Sequence, residues 1–172
     1  NLLSSSSVSI DVNGSIYLAG QHNGSSLVVN KYNPSRILLW SDTITGDLGN
    51  GAYIKSDYQG SVYVSGSFTG TVDFNPNGWT QFNTALGQDM FVLKLDDTGA
   101  YQWVIHYPGI RATMYGGETN NSFDIDSDGN IYIITRFDYD TIDVDTGPGI
   151  CLLYSNSQSY AITKFNSQGQ FQ

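Results

Sequence analysis

The chain has 172 residues, 40% of them hydrophobic and 13% charged, with 16 acidic side chains against 7 basic and a formal charge of −9. This length fits one domain, and the acidity, with no clustered Lys or Arg, excludes a phosphate-binding nucleic-acid surface. No apolar run approaches the ~18 residues of a membrane-spanning helix, and a single cysteine, Cys151, excludes an intrachain disulfide.

Fifteen of the acids are Asp and only Glu118 is Glu. Asp suits turns and strand ends, whereas Glu suits helices. Abundant Gly and Tyr, with Thr, Val, Ile, Asn and Ser, describe an all-β chain with tight turns. No stretch holds a 3.6-residue apolar period, so almost no helix is expected.

In chain order, the first strands are expected over 7–12, 15–21, 26–33 and 37–44. The next set is AYIKSD and SVYVSGSF, joined by a turn, then DMFVLKLD and AYQWVIH, joined by another. The last set falls over 122–126, 130–137, 159–166 and from 170 onward. These sets are three repeats, about 7–44, 51–107 and 121–172. GSIYL, GSVYV and GNIYI mark equivalent strands. Lys31, Lys94 and Lys164 align a second signature at intervals of 63 and 70 residues, and it ends in Trp40 and Trp103 in the first two repeats. A third signature, TVDFNPNGW at 71–79 and TIDVDTGPG at 141–149, is absent from repeat one, which has lost a loop of about that length.

Four antiparallel strands per repeat describe the blades of a β-propeller. Residues 1–172 then form a single propeller segment of about three blades, the last strand truncated. Propellers close with about four to eight blades, so the segment belongs to a larger propeller or to one completed by copies of itself. The period of two places Ile16, Leu18, Val62, Val64, Ile131 and Ile133 against one neighbouring blade. It places Tyr17, Tyr63 and Tyr132 against the other. Trp40 and Trp103 are expected to wedge between blades.

The stretch GSVYVSGSFTGTVDFNPN…DMFVLKLDDTGAYQWV resembles the bacterial SBBP-type β-propeller repeat. The match runs throughout repeat two and nearly throughout repeat three, and in repeat one covers only the two hairpins. The resemblance implies a secreted or surface-attached bacterial protein, often large and multidomain, with no single activity. Low Lys, one cysteine and high Asn, Ser and Thr agree with an extracellular setting. A start at Asn1 reads as a processed form or a fragment.

Asp124, Asp126, Asp128 and Gly129 carry the spacing of the first half of a calcium loop, with Asn130 offering a carbonyl at the seventh position. Acids at the ninth and twelfth positions are absent, where Tyr132 and Thr135 stand. The equivalent residues are Ser9, Asp11 and Asn13 in repeat one and Lys55, Asp57 and Gln59 in repeat two, so the shared feature is a polar turn ending in glycine. Calcium at Asp124, Asp126, Asp128 and Asn130 and plain turn chemistry are both open at this point. Asp143 and Asp145, with Asp73 and Asn75 before them, are a second acidic motif that reads as caps of backbone amides in a loop, with a metal site as the alternative. His22 and His106 sit in non-equivalent positions with no nucleophile or metal-ligand spacing around them. Cys151, in ICLLY, reads as an inert buried thiol.

The expected function is a non-catalytic extracellular or cell-surface module that binds or scaffolds through protein or glycan contacts. The alternatives are a structural subunit of an extracellular assembly, or part of a secreted enzyme acting on polysaccharide. The expected partners are further blades, from a parent chain or from copies, and a glycan or surface protein.

Overall fold

The computed structural model describes residues 4–23, 25–49, 52–107, 123–138 and 141–172, with the side chains of 4–6 and 136–138 excepted. Sixteen strands and no helix are found among them. The first sheet is an antiparallel meander of β1 (Ser4–Ile10), β2 (Ile16–His22), β3 (Ser26–Tyr32) and β4 (Leu38–Thr45). The second sheet opens with β5 (Asp47–Leu48) and β6 (Tyr53–Ser56), both paired with β7 (Val62–Thr69). A short hairpin of β8 (Thr71–Asp73) and β9 (Phe82–Thr84) then interrupts it. The sheet resumes with β10 (Asp89–Leu95) and β11 (Tyr101–Tyr107).

The third sheet repeats this plan with β12 (Phe123–Ile125), β13 (Ile131–Asp138) and β16 (Gln158–Phe165). The hairpin of β14 (Thr141–Asp143) and β15 (Leu152–Tyr154) is inserted between β13 and β16. Phe171 makes a single antiparallel bridge to Phe165 where the fourth strand was expected.

The third signature is therefore a projecting hairpin in both later sheets, and no loop. Its strands are three residues long, too short to show alternation in the sequence. The other expected strands are found to within one or two residues at each end, except that β1 starts at Ser4, three residues before the expected start, and β5 was not expected.

Among the described residues one turn design joins the strands six times. Asp11, Asn33, Asp57, Asp96, Asp126 and Asn166 each accept, on the backbone carbonyl, the N–H three residues on. The Oδ1 of each accepts the N–H four residues on, at 2.9–3.0 Å. An Asx side chain holds the turn, and its fourth residue takes positive φ. That residue is glycine in five turns and Arg36, at φ 65°, in the sixth.

The sheets stack face to face. Tyr17, Ala19, Leu27, Val29 and Ile44 of the first sheet share a core with Leu48, Ile54, Val62, Val64, Leu93 and Leu95 of the second. Tyr63, Met90, Val92 and Ile105 of the second pack on Phe123, Ile131, Ile133 and Phe165 of the third. The tyrosine of one sheet thus faces the aliphatic pair of the next, as the period of two predicts. The described residues close no barrel or ring. Ile16 and Leu18 lie on the free face of the first sheet, beside exposed Val8 and Ile10. Tyr132 lies on the free face of the third, beside exposed Ile134 and Ile162.

Candidate functional site

The repeated polar residues meet at the two junctions between sheets. At the first, the Tyr17 hydroxyl shares its proton between Asp11 Oδ2 at 3.0 Å and the Gly60 carbonyl at 3.1 Å. Lys31 Nζ crosses the same ring, 5.3 Å from its centroid, and donates to the Asp97 carbonyl at 3.0 Å. Trp40 Nε1 donates to that carbonyl as well, at 3.0 Å. The second junction repeats the arrangement. Lys94 Nζ lies 5.0 Å from the Tyr63 centroid and donates to the Ser167 carbonyl at 3.2 Å. Trp103 Nε1 donates to that carbonyl at 3.1 Å.

These contacts explain two of the glycines. A Cβ on Gly99 would lie 2.4 Å from Asp42 Oδ2 and 3.2 Å from the Trp40 ring. A Cβ on Gly169 would lie 2.8 Å from Trp103. Positive φ and close approach both require glycine there. Burial pushes the Tyr17 and Tyr63 hydroxyls, each beside a carboxylate, well above the usual phenol range. Burial also lowers Lys94, against the pull of Asp57. Asp–Tyr–Lys is therefore a clamp between sheets. Trp40 and Trp103 wedge there as expected.

The four residues singled out for calcium part company. Asp124 Oδ1 forms an ion pair with Lys55 of the second sheet. Asp126 is occupied by its own turn: Oδ1 accepts the N–H groups of Asp128 and Asn130 at 2.9 Å each. Its Oδ2 accepts Asn130 Nδ2 at 2.8 Å and the Tyr132 hydroxyl at 3.2 Å. The Asn130 side-chain bond leads the contacts that hold Asp126 below the usual carboxylate range. Asp128 is exposed. Among the described residues no three His, Cys, Asp or Glu side chains converge as metal ligands. A cation at this hairpin would have to displace the Lys55 ammonium and the turn donors.

Asp73 and Asp143 cap amides as the sequence indicates. Asp73 Oδ1 accepts from Asn75 N at 3.1 Å and Gln81 N at 2.8 Å, and Asp143 Oδ1 accepts from Asp145 N at 3.1 Å and Cys151 N at 2.9 Å. Cys151 is half-buried, packed beside Ile142 and Val144, where a fully buried thiol was expected. No known protein family matches the chain, and no curated protein is similar to it.

Two features were missed in the sequence. His106 Nε2 lies 2.8 Å from buried Asp89 Oδ2, with the Phe68 ring 4.9 Å from the imidazole. The partners sit 17 residues apart, on neighbouring strands β10 and β11. The second feature is the pair of hairpin arms. Trp79 is 89% exposed, and Phe82, Leu152 and Tyr154 are also open to solvent. The arm holds Trp79 in place, since Asn75 Nδ2 donates to the Trp79 carbonyl at 2.7 Å. The signal was present: in the alignment of the two arms, Trp79 stands opposite Gly149, so the tryptophan is not needed for the turn.

Proposed function

We propose that the chain is a segment of an extracellular β-propeller, with its three stacked sheets as blades, acting as a non-catalytic module for binding or scaffolding. The resemblance to SBBP-type repeats supports the blade reading. So does the recurrence of one sheet plan and one junction along the chain.

The observation that favours binding is the exposed aromatic and aliphatic surface of the two arms. Trp79, Phe82 and Tyr154 present rings to water on hairpins whose bases are held by Asp73 and Asp143. Flat apolar rings on a rigid support suit the faces of sugars or a protein surface. The polar residues that the repeats share are engaged in turns and junctions, which leaves the arms as the free chemistry. A structural subunit of an extracellular assembly and a propeller enzyme acting on polysaccharide are the competing roles.

The test is a screen of the protein against glycan arrays and surface proteins, with Trp79→Ala beside it. Binding that Trp79→Ala abolishes without a change in melting supports the arms. Hydrolytic turnover of a polysaccharide would overturn the non-catalytic reading.

A further inference from the structure

The two junctions inside the chain define what a sheet offers on each face. One face offers the clamp: a tyrosine, a lysine across its ring, and apolar side chains on the neighbouring positions. The other offers two turns in contact and an aliphatic patch. In the second sheet the first-turn glycine faces the second turn, and a Cβ on Gly60 would lie 3.2 Å from Asp97. In the third, a Cβ on Gly129 would lie 3.2 Å from Ser167.

Both free faces carry these parts unpaired. On the third sheet, Lys164 Nζ lies 5.4 Å from the Tyr132 centroid, repeating Lys31 on Tyr17 and Lys94 on Tyr63. Among the described residues, no backbone carbonyl meets Lys164 as Asp97 meets Lys31 and Ser167 meets Lys94. Beside it, Ile134 and Ile162 occupy the positions of Ala19 and Val29, and Ile162 is 73% exposed. On the first sheet, the turns at Gly14 and Pro34 meet as the others do, with a Cβ on Gly14 lying 3.4 Å from Pro34 Cγ. Next to them Ile16 and Leu18 stand where Val62 and Val64 stand in the second sheet. Val8 and Ile10 extend the patch, and Ile10 is 63% exposed.

We propose that the free face of the third sheet receives the first sheet of a second copy of this chain, with Lys164 donating to the Pro34 carbonyl and the Tyr132 hydroxyl set against Gly14. The occupant is a second copy because the acceptor turns, the aliphatic patch and the clamp all recur in this one sequence. A clamp of one shape is filled twice by the repeat's own turns. The contact is heterologous, so it closes only when a ring completes. Two copies bring six sheets, within the range of about four to eight that closes a propeller. The inference rests on the internal junctions and on the blade reading, and not on the binding role of the arms.

Two single-face variants and their mixture test it by sedimentation velocity. Wild type is expected at twice the 18.8 kDa of one chain. Ile162→Asp, which breaks the clamp face, and Ile10→Asp, which breaks the turn face, bury an unpaired charge in the junction. Each should weaken association more than ~10-fold and sediment as a monomer. Both sites are exposed in the single chain, so each variant keeps the β-rich circular dichroism of wild type. Mixed one to one, the two variants should form a heterodimer, because one intact clamp face meets one intact turn face. A wild-type monomer, variants that still associate, or a mixture that stays monomeric would each overturn the proposal. Arm binding has its own readout, since a monomer that still binds through Trp79 leaves that function standing. Larger open polymers that both variants disperse would keep the junction and reject the blade reading.

Discussion

The junction between the second and third sheets and the free face of the third sheet carry the same three side chains in two settings. Asp57, Tyr63 and Lys94 are closed over by a neighbour, and burial lowers the lysine. Asp126, Tyr132 and Lys164 are open, and there the Tyr132 hydroxyl heads the contacts that raise the lysine. The same residues hold two sheets together in one place and lie open to solvent in the other. The residue types are the same in the two places, and a neighbouring sheet and the Trp103 ring cover only the first.

Perturbing the closed side should cost most. Trp103→Ala removes a ring wedged against Gly169 and a donor to Ser167, and is expected to lower stability by about 3 kcal/mol in a urea melt. Trp79→Ala, on the arm, should stay within ~0.5 kcal/mol. Equal losses would dissolve the distinction between junction and arm.

The glycines sharpen the same contrast. Gly99 and Gly14 both hold positive φ, at 88° and 80°. Only Gly99 also faces Trp40 and Asp42 across a junction. Gly14→Ala should therefore cost about 1 kcal/mol, the conformational penalty alone, and Gly99→Ala at least about 2. The comparison belongs in the Ile10→Asp background, where the first sheet's free face stays free.

A smaller effect separates the tyrosines. Tyr17→Phe deprives buried Asp11 and the Gly60 carbonyl of a donor and should cost about 1–2 kcal/mol. Tyr132→Phe, half-exposed, should cost less than ~0.5 kcal/mol. Smallest of all is calcium. Because Asp124 is paired and Asp126 is filled by its turn, excess calcium and chelator should give the same melting temperature. A rise with calcium that Asp128→Asn removes would restore a cation at Asp124, Asp126, Asp128 and Asn130. An ion at a hundredfold its dissociation constant adds about 2.7 kcal/mol, which such a melt resolves.

Much of the frame could be read from residue types. Asx–x–x–Gly at a turn followed by aliphatic–Tyr–aliphatic at a strand gives the period, the face of each side chain and the stacking order. The arms escaped because three-residue strands carry no period. The clamp escaped for another reason. Its acceptors are backbone carbonyls of Gly60, Asp97 and Ser167, and a carbonyl is the same in every residue, so the sequence shows the donors without their partners. The Asp89–His106 pair needed the register of β10 against β11, which a bulge between Lys94 and Leu95 shifts by one residue from what the turn alone would set. The aspartates of 124–128 alternate in the sequence, and the fold places Asp124 on a strand and Asp126 in a turn.

One titration reaches the central claim, that Asp–Tyr–Lys is a clamp between sheets which the third sheet leaves open. Side-chain NMR of lysine-labelled Ile10→Asp monomer reports Lys94 and Lys164 in one sample. Lys94 is expected below the ordinary lysine value of 10.5 and Lys164 above it. In wild type at high concentration Lys164 should move down toward Lys94 as a second copy covers it. Coincident titrations in the monomer, or Lys94 above Lys164, would contradict the account.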